Sequence, residues 1–140
     1  MLTNTRVIRV QWGDCDPAGI VFYPRYFEWF DACSILLFEK ATGMTKIRML
    51  EKFNGAGLAL LEARAVFKVA SQYGDDIQVE TRVTEFRRSS FFVQHTVKKG
   101  DVLALEGFET RLWTTRDPAD PMHLKSAPMP GEIRAAFNRT

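Results

Sequence analysis

Between residues 24 and 41, apolar side chains recur at helical spacing over a face too wide for the surface of a domain. Tyr26, Phe30, Cys33, Leu37 and Ala41 follow one another at intervals of four, three, four and four, and Phe27, Leu36 and Phe38 widen the stripe. The spacing predicts a helix buried along most of its length. Pro24 suits its first turn, where a missing N–H has no partner to lose, and Gly43 suits the position just past its end. A helix this apolar has to be covered, and the rest of the chain supplies the cover. After Asn54-Gly55-Ala56-Gly57 the apolar period changes to two. Ala63, Ala65, Phe67 and Val69 alternate with other residues, then Ile77, Val79, Thr81 and Val83, then Phe91, Val93 and Val97, then Val102, Ala104, Phe108, Leu112 and Thr114. Four strands are the reading of that pattern. Thr5 to Gln11, with Val7 and Val10, predicts another strand before the helix, and Thr45 to Phe53 a short second helix.

Tyr73-Gly74-Asp75-Asp76 and Lys99-Gly100-Asp101 read as turns, and short connections between consecutive strands predict antiparallel neighbours. After Arg116, prolines 118, 121 and 128 announce an irregular end with a frayed helix over Gly131 to Phe137. The order strand, long apolar helix, four strands predicts a single α+β domain over residues 1–140. In it, a curved antiparallel five-stranded sheet wraps a central helix, the ordering of a hot-dog fold. A lone protomer of this design leaves sheet edges open, so a homo-oligomer is expected.

Composition removes several classes. With 46% hydrophobic residues the chain has enough apolar content for a core, which excludes disorder, and two cysteines, Cys15 and Cys33, exclude a disulfide scaffold. A formal net charge of +2 gives no argument for nucleic acid or membrane as a partner. No apolar run reaches membrane-spanning length and no export signal opens the chain, so a reducing cytoplasm is the expected location. No His/Cys/carboxylate spacing reads as a metal site, and neither a P-loop nor G-x-G-x-x-G is present. No metal or cofactor is expected.

Gly13-Asp14-Cys15-Asp16-Pro17-Ala18-Gly19-Ile20-Val21-Phe22-Tyr23-Pro24 joins the first strand to the helix. A helix start offers unpaired backbone N–H groups that favour an anion or a developing oxyanion. Pro24 cannot donate, which leaves N–H groups such as those of Tyr23 and Arg25. A carboxylate folded back over them by Pro17 and Gly19 would face an electrophile held there, the minimum equipment for acyl transfer. The plainer reading has Asp14 and Asp16 as turn and cap residues. Taken alone, the two readings stay open.

The stretch GDCDPAGIVFYPRYFEWFDACS resembles the signature of the 4-hydroxybenzoyl-CoA thioesterase branch of the hot-dog thioesterases, with the similarity strongest over residues 12 to 34. The resemblance implies hydrolysis of an aromatic acyl-CoA by a homotetramer of paired dimers. It places the catalytic carboxylate at Asp16 and the carbonyl-polarising backbone N–H at Tyr23. It also implies a carboxylate near the ring hydroxyl at Asp31, although a place on the polar face of the helix accounts for Asp31 equally well. Arg87, Arg88 and Ser89, in Glu85-Phe86-Arg87-Arg88-Ser89-Ser90-Phe91, match the family segment that grips the coenzyme A nucleotide. Ser89 stands where the family has a lysine, one charge fewer.

Other readings are weaker. Cys15 lacks a neighbouring histidine in sequence, His95 in an alternating strand reads as structural or surface, and His123 sits in the proline-rich tail. A thioesterase for aliphatic acyl-CoA or acyl carrier protein, and a non-catalytic acyl-CoA-binding protein, share the expected fold. Asp14-Cys15-Asp16 as a phosphatase-like magnesium site lacks the parallel sheet that such a site needs.

Overall fold

A computed structural model describes residues 1–138. The predicted helix is α1, Pro24–Thr42, with Pro24 in its first turn and Gly43 closing it in the left-handed conformation. Tyr26, Phe30, Cys33, Ser34, Leu37, Phe38 and Ala41 are its buried residues. Glu28, Asp31, Leu36 and Lys40 remain exposed on the other side, so the sheet covers one side of the helix. A short α2, Lys46–Lys52, follows, with the Thr45 side chain accepting from the Arg48 N–H at its start.

The strands are β1 (Thr3–Arg9), β2 (Gly57–Phe67), β3 (Asp76–Phe86), β4 (Ser90–Lys99), β5 (Val102–Asp117) and β6 (Asp120–Ser126). They form one antiparallel sheet ordered β1-β3-β4-β5-β2, with β6 paired to the end of β5. The curled sheet and the helix against it are the α+β hot-dog architecture that the pattern predicts, with six strands instead of five. The sixth lies in the tail expected to be irregular. It is exposed along its whole length, and Pro121 is tolerated there because an edge strand leaves N–H positions unused. The tail then ends in α3, Gly131–Ala136, which is packed and not frayed: Ile133, Ala136 and Phe137 are buried against Phe38 and its neighbours.

Three further expectations are corrected. First, β2 and β3 are consecutive but not neighbours, since β2 pairs with β5 and β3 with β1 and β4. The segment between them crosses from one side of the sheet to the other. Second, β1 buries Ile8, followed by Val10 just past its end, while Val7 is 62% exposed. Val7 and Val10 are three apart and cannot share a face of a strand. Third, β5 turns the opposite parity inward over most of its length. Leu105, Gly107, Glu109, Arg111 and Trp113 are buried, while Phe108 and Leu112 are only partly so. The register shift between Val97 and Lys98 on the β4–β5 pair changes the phase after Ala104. Two charged residues thereby enter the core.

Candidate active site

Residues 14–22 form a small hairpin that the sequence showed only as a broken loop. Phe22 N–H donates to Asp14 O, Cys15 bridges to Val21, and Asp16 N–H donates to Ile20 O at 2.9 Å. Gly19, at φ 83°, closes the tip and donates to Asp16 O. The crossing segment between β2 and β3 holds the hairpin from one side: Val21 N–H donates to Ser71 O at 2.9 Å, and Ile20 bridges to Gln72. Topology thus sets the loop firmly against the start of α1.

The two aspartates separate. Asp14 is structural, because its Oδ2 accepts the Gln11 N–H at 2.8 Å and its Oδ1 lies 3.6 Å from Arg25 Nε in the first turn of α1. Asp16 is half-buried near the hairpin tip. Its Oδ1 accepts the Ala18 N–H at 2.8 Å, and Oδ2 has no hydrogen-bond partner among the described residues. The turn-forming reading is therefore correct for one oxygen of Asp16 and leaves the other available.

The helix start is equally selective. Arg25, one of the two donors considered, is spent: its N–H goes to Phe22 O at 2.9 Å. The Tyr23 N–H makes no hydrogen bond among the described residues, and Pro24 has none to offer. One backbone donor therefore stands free at the positive end of a 19-residue helix. Ile20, Val21, Tyr23, Tyr26 and residues 67–71 line a cavity of about 280 Å³ beside it. Asp16 is not part of that lining. A larger open cleft of about 730 Å³ lies at the other end of β2, between α2 and the β5–β6 ribbon, away from both residues.

Asp31 lies two turns further along α1, its side chain 59% exposed, with Oδ1 2.7 Å from Arg111 Nη2. Arg111 and Glu109 are the residues that sequence reading missed. Both side chains are almost wholly buried, and they are paired at 2.9 Å. Burial pushes the Glu109 carboxyl up, but hydrogen bonds from His95 and Arg111 outweigh it and hold the group at about 2. No signal in the sequence marked them, because the alternation of β5 placed both charges on the face expected to point outward, and only the register shift turns them in.

His95 is buried as well, which excludes the surface alternative in its sequence reading. Its Nδ1 meets the Thr81 hydroxyl at 2.8 Å and its Nε2 meets Glu109 Oε1 at 3.1 Å. Its ring stacks on Phe30 at 4.5 Å. Ser34 also touches His95 and Glu109, but this is no nucleophile triad. Ser34 and Glu109 share the same ring nitrogen, Ser34 donates its proton to Glu109, and all three are sealed from solvent. Cys15 Sγ faces Gln11 O, with neither histidine as partner, and burial pushes the Cys33 thiol up.

Arg87, Arg88 and Ser89 form the β3–β4 turn, held by Arg87 N–H to Ser90 O, Met129 N–H to Arg88 O and Trp113 N–H to Ser89 O. Both arginine side chains are exposed. Arg87 lies over the Phe92 ring at 5.0 Å and 3.7 Å from Glu85. This turn stands at the far end of β3 from the hairpin, and an extended strand of that length spans roughly 35 Å. One protomer does not bring these arginines to Asp16 and Tyr23.

Among the described residues no cluster of three metal-binding side chains occurs, and no helix is long and apolar enough to cross a membrane. The model of the thioesterase-like superfamily matches residues 10–137, which includes the hairpin, the helix and the whole sheet apart from β1. The chain belongs to that superfamily. This thioesterase is 36% identical over 115 residues to the 4-hydroxybenzoyl-CoA thioesterase of Pseudomonas sp. (strain CBS-3), covering 78% of this chain and 81% of that one. The solved structure of 4-hydroxybenzoyl-CoA thioesterase from the same organism superposes with a TM-score of 0.86 at 29% identity, over 96% of this chain and 98% of that one. A gentisyl-coenzyme A thioesterase structure gives 0.81 at 28% identity, over 96% and 99%.

Proposed function

We propose that this thioesterase hydrolyses an aromatic acyl-CoA whose ring carries a hydroxyl, giving the free acid and coenzyme A. The observation that carries the reading is that one unengaged carboxylate oxygen, Asp16 Oδ2, and one unengaged helix-start donor, the Tyr23 N–H, belong to the braced hairpin and to the residue that directly follows it. The N–H polarises the thioester carbonyl. Asp16 then either attacks the carbonyl carbon, forming a mixed anhydride that water opens, or takes a proton from the water that attacks. In both routes the C–S bond breaks, the sulfur leaves and is protonated as free thiol, and water supplies the new acid oxygen. Relatives named for hydroxybenzoyl and gentisyl thioesters support a hydroxylated ring, and Asp31 is the carboxylate we assign to its hydroxyl.

Arg87, Arg88 and Ser89 suit the phosphates of coenzyme A, with guanidinium forks for the charge and a hydroxyl in support. Their distance from the hairpin means that another copy supplies them, so the working form is a homo-oligomer, which we read as a tetramer of paired dimers. Strand β2 supports this. It is an outer strand of the sheet, with Leu60, Leu61, Val66 and Phe67 exposed. We place the enzyme in the cytoplasm.

The test is thiol release from a panel of benzoyl, hydroxybenzoyl, short aliphatic and long aliphatic CoA thioesters, with sedimentation of the same sample. Turnover highest on a hydroxylated ring, by an oligomer, is the expected result. A preference for aliphatic chains, or binding without thiol release, would overturn it.

A further inference from the structure

Resting on that assignment of Asp31, we propose that Arg111, oriented by Glu109, is a positioning residue that clamps the Asp31 carboxylate for recognition of the acyl-ring hydroxyl. The Arg111 guanidinium lies inside the protein with its side chain 4% exposed, yet it reaches the surface of α1. Nε and Nη2 grip Glu109 at 3.1 and 2.9 Å, Nη1 donates to Leu58 O at 3.0 Å, and Nη2 also donates to Asp31 Oδ1 at 2.7 Å. Glu109 is held from behind by Ser34 and by His95, and His95 by Thr81 and the Phe30 ring. A continuous chain of polar contacts therefore runs from the middle of the sheet outward and ends on one partly exposed carboxylate.

Stability gives no reason for this chain. An apolar pair of similar volume would serve the core at least as well as a buried Glu–Arg pair, and a pair with one exposed member adds little. What the network produces is a carboxylate with a fixed orientation. Oδ1 is tied to a rigid guanidinium and Oδ2 makes no hydrogen bond among the described residues. An ionised carboxylate only accepts, so the complementary group is a donor such as a phenolic O–H. Holding the acceptor still before binding removes an ordering cost from recognition. A site committed to a substrate hydroxyl also discriminates strongly against an analogue without one.

The test compares kcat/KM for benzoyl-CoA with that for 3- or 4-hydroxybenzoyl-CoA, whichever is hydrolysed faster, and reads the ratio. The full chain is assayed as wild type, Asp31→Asn, Arg111→Lys and the double variant. Lysine keeps a buried cation beside Glu109 but has no fork to hold two carboxylates at once. We expect the hydroxyl preference to fall at least tenfold in each single variant and no further in the double. A merely structural role would lower both substrates together and leave the ratio in place. Arg111→Lys that retains the wild-type ratio, or losses that multiply in the double variant, would overturn the positioning role. If Arg111→Lys does not fold, Glu109→Gln is read by the same ratio. Failure of the Asp31 assignment itself shows separately, as a wild type without preference or an Asp31→Asn variant that keeps it, and it removes the inference as well.

Discussion

Gly107 on β5 leaves the space that the ring of Phe30 fills: a Cβ built on this glycine would lie 2.7 Å from Phe30 Cζ and 2.9 Å from Cδ2. The contact brings the central helix close enough to the sheet for Phe30 to stack on His95 with ring planes 7° apart. The close approach of helix to sheet thus depends on the absence of one methyl group.

Gly107→Ala is expected to cost about 1–3 kcal/mol, as overpacking of a filled core does, because a ring and not a flexible side-chain end must move. Urea unfolding measures it. The same substitution at Gly13, with nothing within 4 Å of its Cβ position, is the control and should cost far less.

Asp16→Asn should lower kcat by about three orders of magnitude or more while changing KM little, since the loss falls on the chemical step. Asp14→Asn should act differently. It keeps an oxygen for the Gln11 N–H but loses the charge facing Arg25, loosening the hairpin by about 0–1 kcal/mol, with a smaller drop in kcat. Steady-state kinetics beside thermal melts separates the two. Equal activity losses would remove the distinction between the carboxylates.

Glu109 predicts an acid limb in stability. Its folded value of about 2 lies below the ordinary 4.5 that it regains on unfolding. The unfolded chain therefore binds the proton more readily, and the contribution, about 3 kcal/mol, is fully present above pH 4.5 and lost as pH falls toward 2. Urea titrations between pH 2 and 7 should show this slope. Glu109→Gln should flatten it and lower neutral stability by about 3–5 kcal/mol, because Arg111 then keeps a buried charge with only exposed Asp31 opposite.

Replacing Arg87 and Arg88 together with alanine should raise KM for a CoA thioester about tenfold or more, the worth of a single charge-assisted hydrogen bond. The thioester of pantetheine alone, which has no nucleotide, should be unaffected. Salt should weaken only the CoA substrate in the wild type. Equal effects on both substrates would move the phosphate grip elsewhere.

Local sequence determined the parts of this protein that depend on periodicity and backbone chemistry. The period near 3.6 from Tyr26 to Ala41, Pro24 at one end and Gly43 at the other made α1 legible, and strict alternation did the same for β3. The stretch from Gly13 to Ser34 pointed to a thioesterase through its resemblance to a family signature, which one short segment can carry. Tertiary structure decided everything that depends on which strands meet. Adjacency in the chain suggested that β2 lies beside β3, but the edges of a curled sheet are filled by whichever strands cover the helix, and the crossing segment became the brace of the site. The bulge at Ala104, opposite Val97 and Lys98, reversed the parity of β5, and parity alone determines which side chains enter the core. Glu109 and Arg111, unremarkable charges in the linear sequence, thereby became a buried pair. The same register brought Arg111 within reach of Asp31, eighty residues earlier in the chain. No local pattern encodes such a meeting, because its cause is a shift in the pairing of β5 with β4.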